Sequence, residues 1–362
     1  MSPHPERLAP DAVELSAGGN GSPSGHGGPA GDADLAAGVA RALADADPAA
    51  PPPTVHVTGV ASAGATRRTV FVDIVRDGST TEAVAQLAPA LARSLSPTAE
   101  AACVRQAATA GVPVAEPLVA TDDAGYVGVP FLVSRRVRGL TVPRQILRAI
   151  ADRPGFGTTL ARQCGKTLAA LHGLDPAEVP DDVSRLVDPT PTVAYAEHLR
   201  LVAASLAPSP VMALGQRWLA RNHPEAAKPC LVHGDMRNGN LIVDDDGVAA
   251  VVDWELAHVG DPMEDLAWLC LRCWRFRADH LEVGGFASLT ELSDAYEEAG
   301  GTWRADAFHW WKVARTMWWC LVLQLQAEAF VASMSSSLVL AASGRRVAEM
   351  EYDLLMLIRP DD

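Results

Sequence analysis

The 362-residue chain contains no run of Lys or Arg: 30 basic residues stand against 44 acidic ones, giving a formal net charge of −14 and a pI near 5.1. Without a phosphate-neutralising patch, nucleic acid and anionic membrane drop out as partners, and a small molecule is expected instead. Cysteine is sparse. Cys103, Cys164, Cys230, Cys270, Cys273 and Cys320 lack the dense spacing of a disulfide scaffold, which predicts a reducing, cytoplasmic setting. The pair Cys270 and Cys273 has no second pair or neighbouring His to complete a metal site, and its apolar surroundings predict buried helix positions. No apolar run reaches the roughly 20 residues that a bilayer crossing requires, and the most apolar tract, 318–331, is broken by Gln324, Gln326 and Glu328. Acidic and Pro residues stand at the start where a signal peptide would carry a basic region and an apolar stretch, so no secretion signal is expected.

What is present is ordinary globular composition, 48% apolar and 20% charged, on a chain long enough for two lobes. Residues 1–33 are runs of Gly, Pro, Ser and His that bury too little to fold, which predicts a disordered tail. The glycines at 18–28 have neither the preceding strand nor the immediate helix of a nucleotide loop. An Ala/Leu-rich helix is predicted over 34–46, ended by Asp47-Pro48 and three prolines. Alternating, β-branched segments at 55–60, 69–75 and 82–87 then read as an antiparallel meander. A helix over 97–110 and strands at 118–120 and 129–137 follow, completing a small lobe over 34–138. The small-residue turn from Gly59 to Thr66 reads equally as a plain hairpin turn and as a loop over nucleotide phosphates.

Beyond Gly139 the periodicity turns helical, with helices predicted at 142–151, 157–174, 193–207, 211–222, 262–276, 288–299, 306–333 and 344–357 and a loop at 256–261. The class is therefore α+β, with a small antiparallel-sheet lobe and a larger, mainly helical lobe over 139–362. Gly165-Lys166-Thr167 lacks the glycine five residues earlier that a phosphate loop needs, since position 160 is Leu. His172 reads as a structural histidine. Trp310, Trp311, Trp318 and Trp319 on one long helix fit core packing or the lining of an acceptor pocket.

Chemistry concentrates in one stretch. Cys230-Leu-Val-His233 leads into Gly234, Asp235, Arg237 and Asn240; Leu241-Ile-Val243 and 248–252 form a hairpin that returns the chain to Asp253-Trp254-Glu255. Phosphoryl transfer asks the protein to position an acceptor and neutralise charge on phosphoryl oxygens. Asp235 is placed to orient an acceptor hydroxyl and take its proton late. Asn240 and Asp253 offer the hard oxygens that Mg²⁺ prefers, and Glu255 is placed for a second metal or a metal-bound water. Arg237 would reach the γ-phosphate during transfer, while His233 braces the loop.

These residues resemble the aminoglycoside phosphotransferase and choline kinase-like superfamily, which shares the two-lobed protein-kinase fold. The likeness runs from about Val55 onward and is strongest to bacterial phosphotransferase-family proteins such as the mycobacterial ones. Gly260-Asp-Pro-Met-Glu-Asp265-Leu-Ala-Trp268, Gly111-Val-Pro113, 130–133, Gly139 and Leu171-His172 extend it. The resemblance implies an ATP-dependent, Mg²⁺-requiring kinase acting on a hydroxyl of a small molecule; the acidic composition permits an aminoglycoside, and the tryptophan-rich helix permits a more apolar acceptor such as a hydroxyacyl thioester or a macrolide-like ring. It implies that Asp265 supports the catalytic-loop backbone, that Glu100 pairs with a basic strand residue, and that Ser134, Arg135 and Val137 form the hinge meeting adenine. In one place the chain departs from the family. Gln86 stands where the third strand should carry the Lys or Arg that grips the phosphates, which leaves three options: a shifted register, substitution by Arg67 or Arg68, or weakened nucleotide binding, as in a regulatory pseudokinase.

Overall fold

A computed structural model describes residues 31–61, 67–88, 95–334 and 337–359. The tail predicted over 1–33 lies almost wholly outside them, as does most of the turn from Gly59 to Thr66.

The chain folds in the order α1 (Asp32–Ala46), β1 (Thr54–Val60), β2 (Arg68–Arg76), β3 (Ser79–Leu87), α2 (Pro97–Thr109), β4 (Pro117–Thr121) and β5 (Phe131–Arg135). Then come α3 (Pro143–Ala151), α4 (Phe156–His172), α5 (Pro191–Ala204), α6 (Pro210–Arg221), β6 (Cys230–Val232), β7 (Leu241–Val243), β8 (Val248–Val251), β9 (His258–Gly260) and α7 (Met263–Leu269). Last are α8 (Leu289–Glu298), α9 (Ala305–Val331), α10 (Leu338–Ser343) and α11 (Val347–Ile358). Two compact units result, one from 27–185 and 227–308, the other from 186–226 and from 309 onward.

In the first unit, β1 to β5 form one antiparallel sheet in the order β1-β2-β3-β5-β4. Strand alternation sends Val70, Val72 and Ile74 of β2 and Ala83, Ala85 and Leu87 of β3 into a core. Leu35, Val39, Ala42 and Leu43 of α1, spaced to share one helix face, join it with Phe131 and Val133. Each Val, Leu, Ile or Phe among them, fully buried, contributes about 1.5–3 kcal/mol. Ser96 caps α2 by accepting from the Ala99 N–H, and so fixes the turn that carries Glu100. Two short antiparallel pairs follow: the hairpin of β7 with β8, and β6 with the more distant β9.

β9 corrects the sequence reading, which made 256–261 a loop; its three residues are too few to show a period. The helix predicted over 262–276 is also shorter. α7 stops at Leu269, and a single 3₁₀ turn, 272–274, follows Leu271 in extended conformation. The carbonyls at its end are taken by the loop beyond it: Leu269 O by the Gly284 N–H at 3.1 Å and Cys270 O by the Arg275 guanidinium at 2.9 Å. Phe276 and Arg277 then adopt positive φ, which no helix continues through.

The second unit packs around α9. Trp310 and Trp311 are fully buried and meet edge to face, ring centroids 5.0 Å apart. The Trp310 indole donates to Leu219 O at 3.1 Å, and Tyr195 stacks edge-on against Trp311. These two tryptophans are core, while Trp318 and Trp319 are half-buried. All six cysteines are free and buried, five in the first unit and Cys320 in the second. No helix among the described residues is long and apolar enough to cross a membrane.

Candidate active site

The loop from His233 to Asn240 is built on backbone before side chains. Gly234 has φ +76°, and a Cβ there would lie 2.3 Å from Leu256 O, so only glycine lets β6 turn into the loop. Asp265, fully buried on α7, accepts the next two amides: the His233 N–H at 2.7 Å and the Gly234 N–H at 2.8 Å. His172 adds a ring nitrogen at 3.3 Å to Asp265 and meets the Tyr296 hydroxyl at 3.0 Å with the other. Burial alone would raise the Asp265 carboxyl, but the His172 hydrogen bond and the His233 N–H outweigh it and hold it below the usual carboxylate range. The backbone support that the family resemblance assigns to Asp265 is thus visible as geometry. His233 is buried, packs against Trp254 with centroids 4.6 Å apart, and accepts the Asp235 N–H on Nδ1 at 3.1 Å. Burial lowers its pKa, consistent with a bracing role.

Asp235 is gripped from three sides. Its Oδ1 accepts from the Trp268 indole at 2.7 Å and from Arg237 Nε at 3.1 Å; Oδ2 accepts from the Asn240 amide at 2.7 Å. Arg237 folds back on Asp235 with its guanidinium over the Trp274 ring, 4.5 Å from the centroid. Neither Trp268 nor Trp274 stood out in the sequence as a site residue. Trp268 was visible only as the end of a motif whose Asp drew the attention, and a Trp in an apolar helix carries no mark of where its N–H points.

The β7–β8 hairpin pairs Leu241 with Val251, and the Val252 N–H reaches Asn240 O at 3.0 Å, so Asn240 and Asp253 emerge from adjacent strand ends. Asp253 sits at φ +70°, a left-handed conformation unfavourable for a side chain with a Cβ. Its carboxyl is pushed up to about 7, first by burial, then by the charges of Glu255 and Asp235. A divalent cation would relieve this crowding. Asn240 spends its Nδ2 on Asp235 O and Oδ2, which leaves its amide oxygen to face a cation. Among the described residues no three His, Cys, Asp or Glu side chains converge as a ready metal cage. Two protein oxygens completed by phosphate oxygens and water match Mg²⁺, which keeps several waters.

Glu255 faces Arg67. Their Oε2 and Nε are 2.9 Å apart, and Arg67 Nη1 donates to Glu100 Oε2 at 2.6 Å, all three side chains being largely buried. The partner that Glu100 finds is therefore Arg67, one of the two turn arginines considered as substitutes, and Gln86 is not that partner. Gln86 lies half-buried on β3, opposite Thr69 and Leu132. Arg68 turns away to Asp32 at 3.1 Å. In the segment expected to be the hinge, Ser134 is buried, the exposed Arg135 pairs with Glu116 at 2.8 Å, and Val137 is half-buried just past the end of β5.

The family profile described as "Phosphotransferase enzyme family" matches residues 57–309. Two mouse proteins, acyl-CoA dehydrogenase family members 10 and 11, are 30% identical over 167 residues and 32% over 172; they cover 45% and 44% of this chain. The chain spans only 15% and 21% of their own lengths. Among solved structures, a Ralstonia eutropha protein proposed to be an aminoglycoside phosphotransferase superposes with a TM-score of 0.63 at 21% identity, over 91% of this chain and 98% of that one. A ternary complex of aminoglycoside phosphotransferase APH(4)-Ia with AMP-PNP and hygromycin B superposes with 0.55 at 16%, over 87% and 98%. The kinase-like fold of these neighbours is the fold of this chain. With its loop, its hairpin and nearly all of its sheet inside the matched span, the chain belongs to the phosphotransferase enzyme family.

Proposed function

We propose that this phosphotransferase moves the γ-phosphate of ATP to a hydroxyl of a small molecule, with Mg²⁺ as the metal. The observation that carries this reading is the Asp235 carboxylate, held by Trp268, Arg237 and Asn240 in one orientation next to the hairpin that bears Asp253. A carboxylate fixed this way can accept a hydrogen bond from an acceptor hydroxyl, align its oxygen and receive its proton. Asn240 and Asp253 would hold Mg²⁺, with Glu255 beside them, and the ion would neutralise charge on the phosphoryl oxygens. Arg237, one donor from Asp235, is placed to follow that charge during transfer. Glu100 on α2 pairs with Arg67 within the nucleotide site, and the backbone from Arg135 to Val137 faces the adenine.

A second reading of the acceptor is supported by the acyl-CoA dehydrogenase family relatives, whose name points to acyl thioesters. On it, the hydroxyl belongs to a hydroxyacyl thioester rather than to an aminoglycoside. Incubation with Mg·ATP and a panel holding both classes, followed by mass spectrometry for an added phosphate, tests the function and chooses the class. The Asp235→Asn variant should stay folded and lose transfer by at least about 10²-fold; retained turnover would remove Asp235 from its role.

A further inference from the structure

A nucleotide site requires a cation for its phosphates, and on the third strand this chain offers the neutral Gln86. Arg67 enters the same unit from the β1–β2 connection. Its planar guanidinium has Nη1 on Glu100 at 2.6 Å and Nε 2.9 Å from Glu255. Its Nη2 is buried with no hydrogen-bond partner among the described residues. Two charged N–H bonds buried without acceptors are costly to leave unmade. Around them stand Glu100, Glu255 and Asp253, whose charges all act on Arg67, so protein carboxylates already face Nη1 and Nε while Nη2 stays open. A guanidinium anchored through its other nitrogens can still turn the two charged N–H bonds of Nη2 to phosphate oxygens. The anchors are tied to one another as well: the Leu95 N–H, at the entry to α2, donates to Glu255 O at 2.9 Å.

We propose that Arg67 grips the nucleotide phosphates in place of the third-strand residue, and that Glu255 is its second anchor beside Glu100. This rests on the kinase reading above. It reassigns the contact expected of Gln86 and gives Glu255 a positioning task, leaving Asn240 and Asp253 as the metal donors.

The test is calorimetry on the full chain with Mg·ADP and, separately, with adenosine. Arg67→Gln is expected to weaken Mg·ADP binding by at least about tenfold, the scale of one charge-assisted contact, and to leave adenosine binding within about twofold. Gln86→Ala should leave both ligands within about twofold of the unaltered chain. In the Arg67→Gln, Gln86→Lys double variant, binding of Mg·ADP should recover in part, as the cation returns to the strand. A folded Arg67→Gln that binds Mg·ADP as well as the unaltered chain overturns the assignment, as does a Gln86→Ala loss equal to that of Arg67→Gln. Arg67→Lys keeps a charge between the two glutamates and guards against loss of the fold: weakening of Mg·ADP alone supports the role, and equal weakening of adenosine overturns it. If the unaltered chain binds no Mg·ADP, the kinase reading itself fails and this assignment with it; if it binds and Arg67→Gln binds equally, only the assignment fails.

Discussion

Trp268 is an apolar side chain by burial and a hydrogen-bond donor by placement. Its indole N–H reaches Asp235 Oδ1 at 2.7 Å, and its ring lies edge-on to Trp274, on which Arg237 rests. Trp268→Phe keeps most of the packing and deletes the donor. A lost hydrogen bond to a charged group is worth about 1.5–3 kcal/mol. If that bond orients Asp235 for transfer, kcat should fall by about tenfold or more while KM for nucleotide changes by less than about twofold. Steady-state kinetics on a known acceptor measures the split, and a rise in nucleotide KM with kcat intact would show that Trp268 merely packs. At this scale the sequence was uneven. His233, Gly234, Asp235, Asn240 and Asp253 were legible because chemistry fixes both their identity and their spacing. Arg67 was not separable from Arg68, because adjacent strand residues face opposite ways and no sequence feature says which one faces inward.

The elements that carry the loop lean on a single carboxylate. Asp265 ties α7 to the start of the loop through two backbone amides and to α4 through His172. Its folded-state pKa lies below the unfolded aspartate value of about 3.9. The stabilisation it contributes is therefore complete above about pH 4 and is lost as pH falls through the lower folded value. Asp265→Asn turns an N–H toward a backbone N–H and should cost about 3–5 kcal/mol. Urea midpoints taken at neutral and acidic pH should show that loss at neutral pH, with the variant losing less than the unaltered chain on further acidification. A parallel loss in both proteins would assign the acid sensitivity elsewhere. Strand and helix periods made most elements readable, including the five-stranded sheet. They failed at β9, only three residues long, and at the end of α7, where groups from a distant loop satisfy the carbonyls that a longer helix would have used.

Across the whole molecule the net charge of −14 acts on any charged acceptor. A polycationic aminoglycoside would be drawn in and a polyanionic acyl-CoA repelled, and salt would screen both effects. Raising ionic strength should thus raise KM for a cationic acceptor and lower it for a hydroxyacyl-CoA, with steady-state KM across a salt series as the measure. The same sign for both would place the acceptor out of reach of the overall field. The buried cysteines have a use of another kind. Burial pushes the thiols of Cys103, Cys164 and Cys320 up to about 12, so in the folded chain they scarcely form thiolate and stay out of contact with reagents in solution. Alkylation must then wait for local opening. With Cys320 in one unit and Cys103 and Cys164 in the other, the native chain carries built-in clocks for how often each unit breathes, readable peptide by peptide without adding a label site.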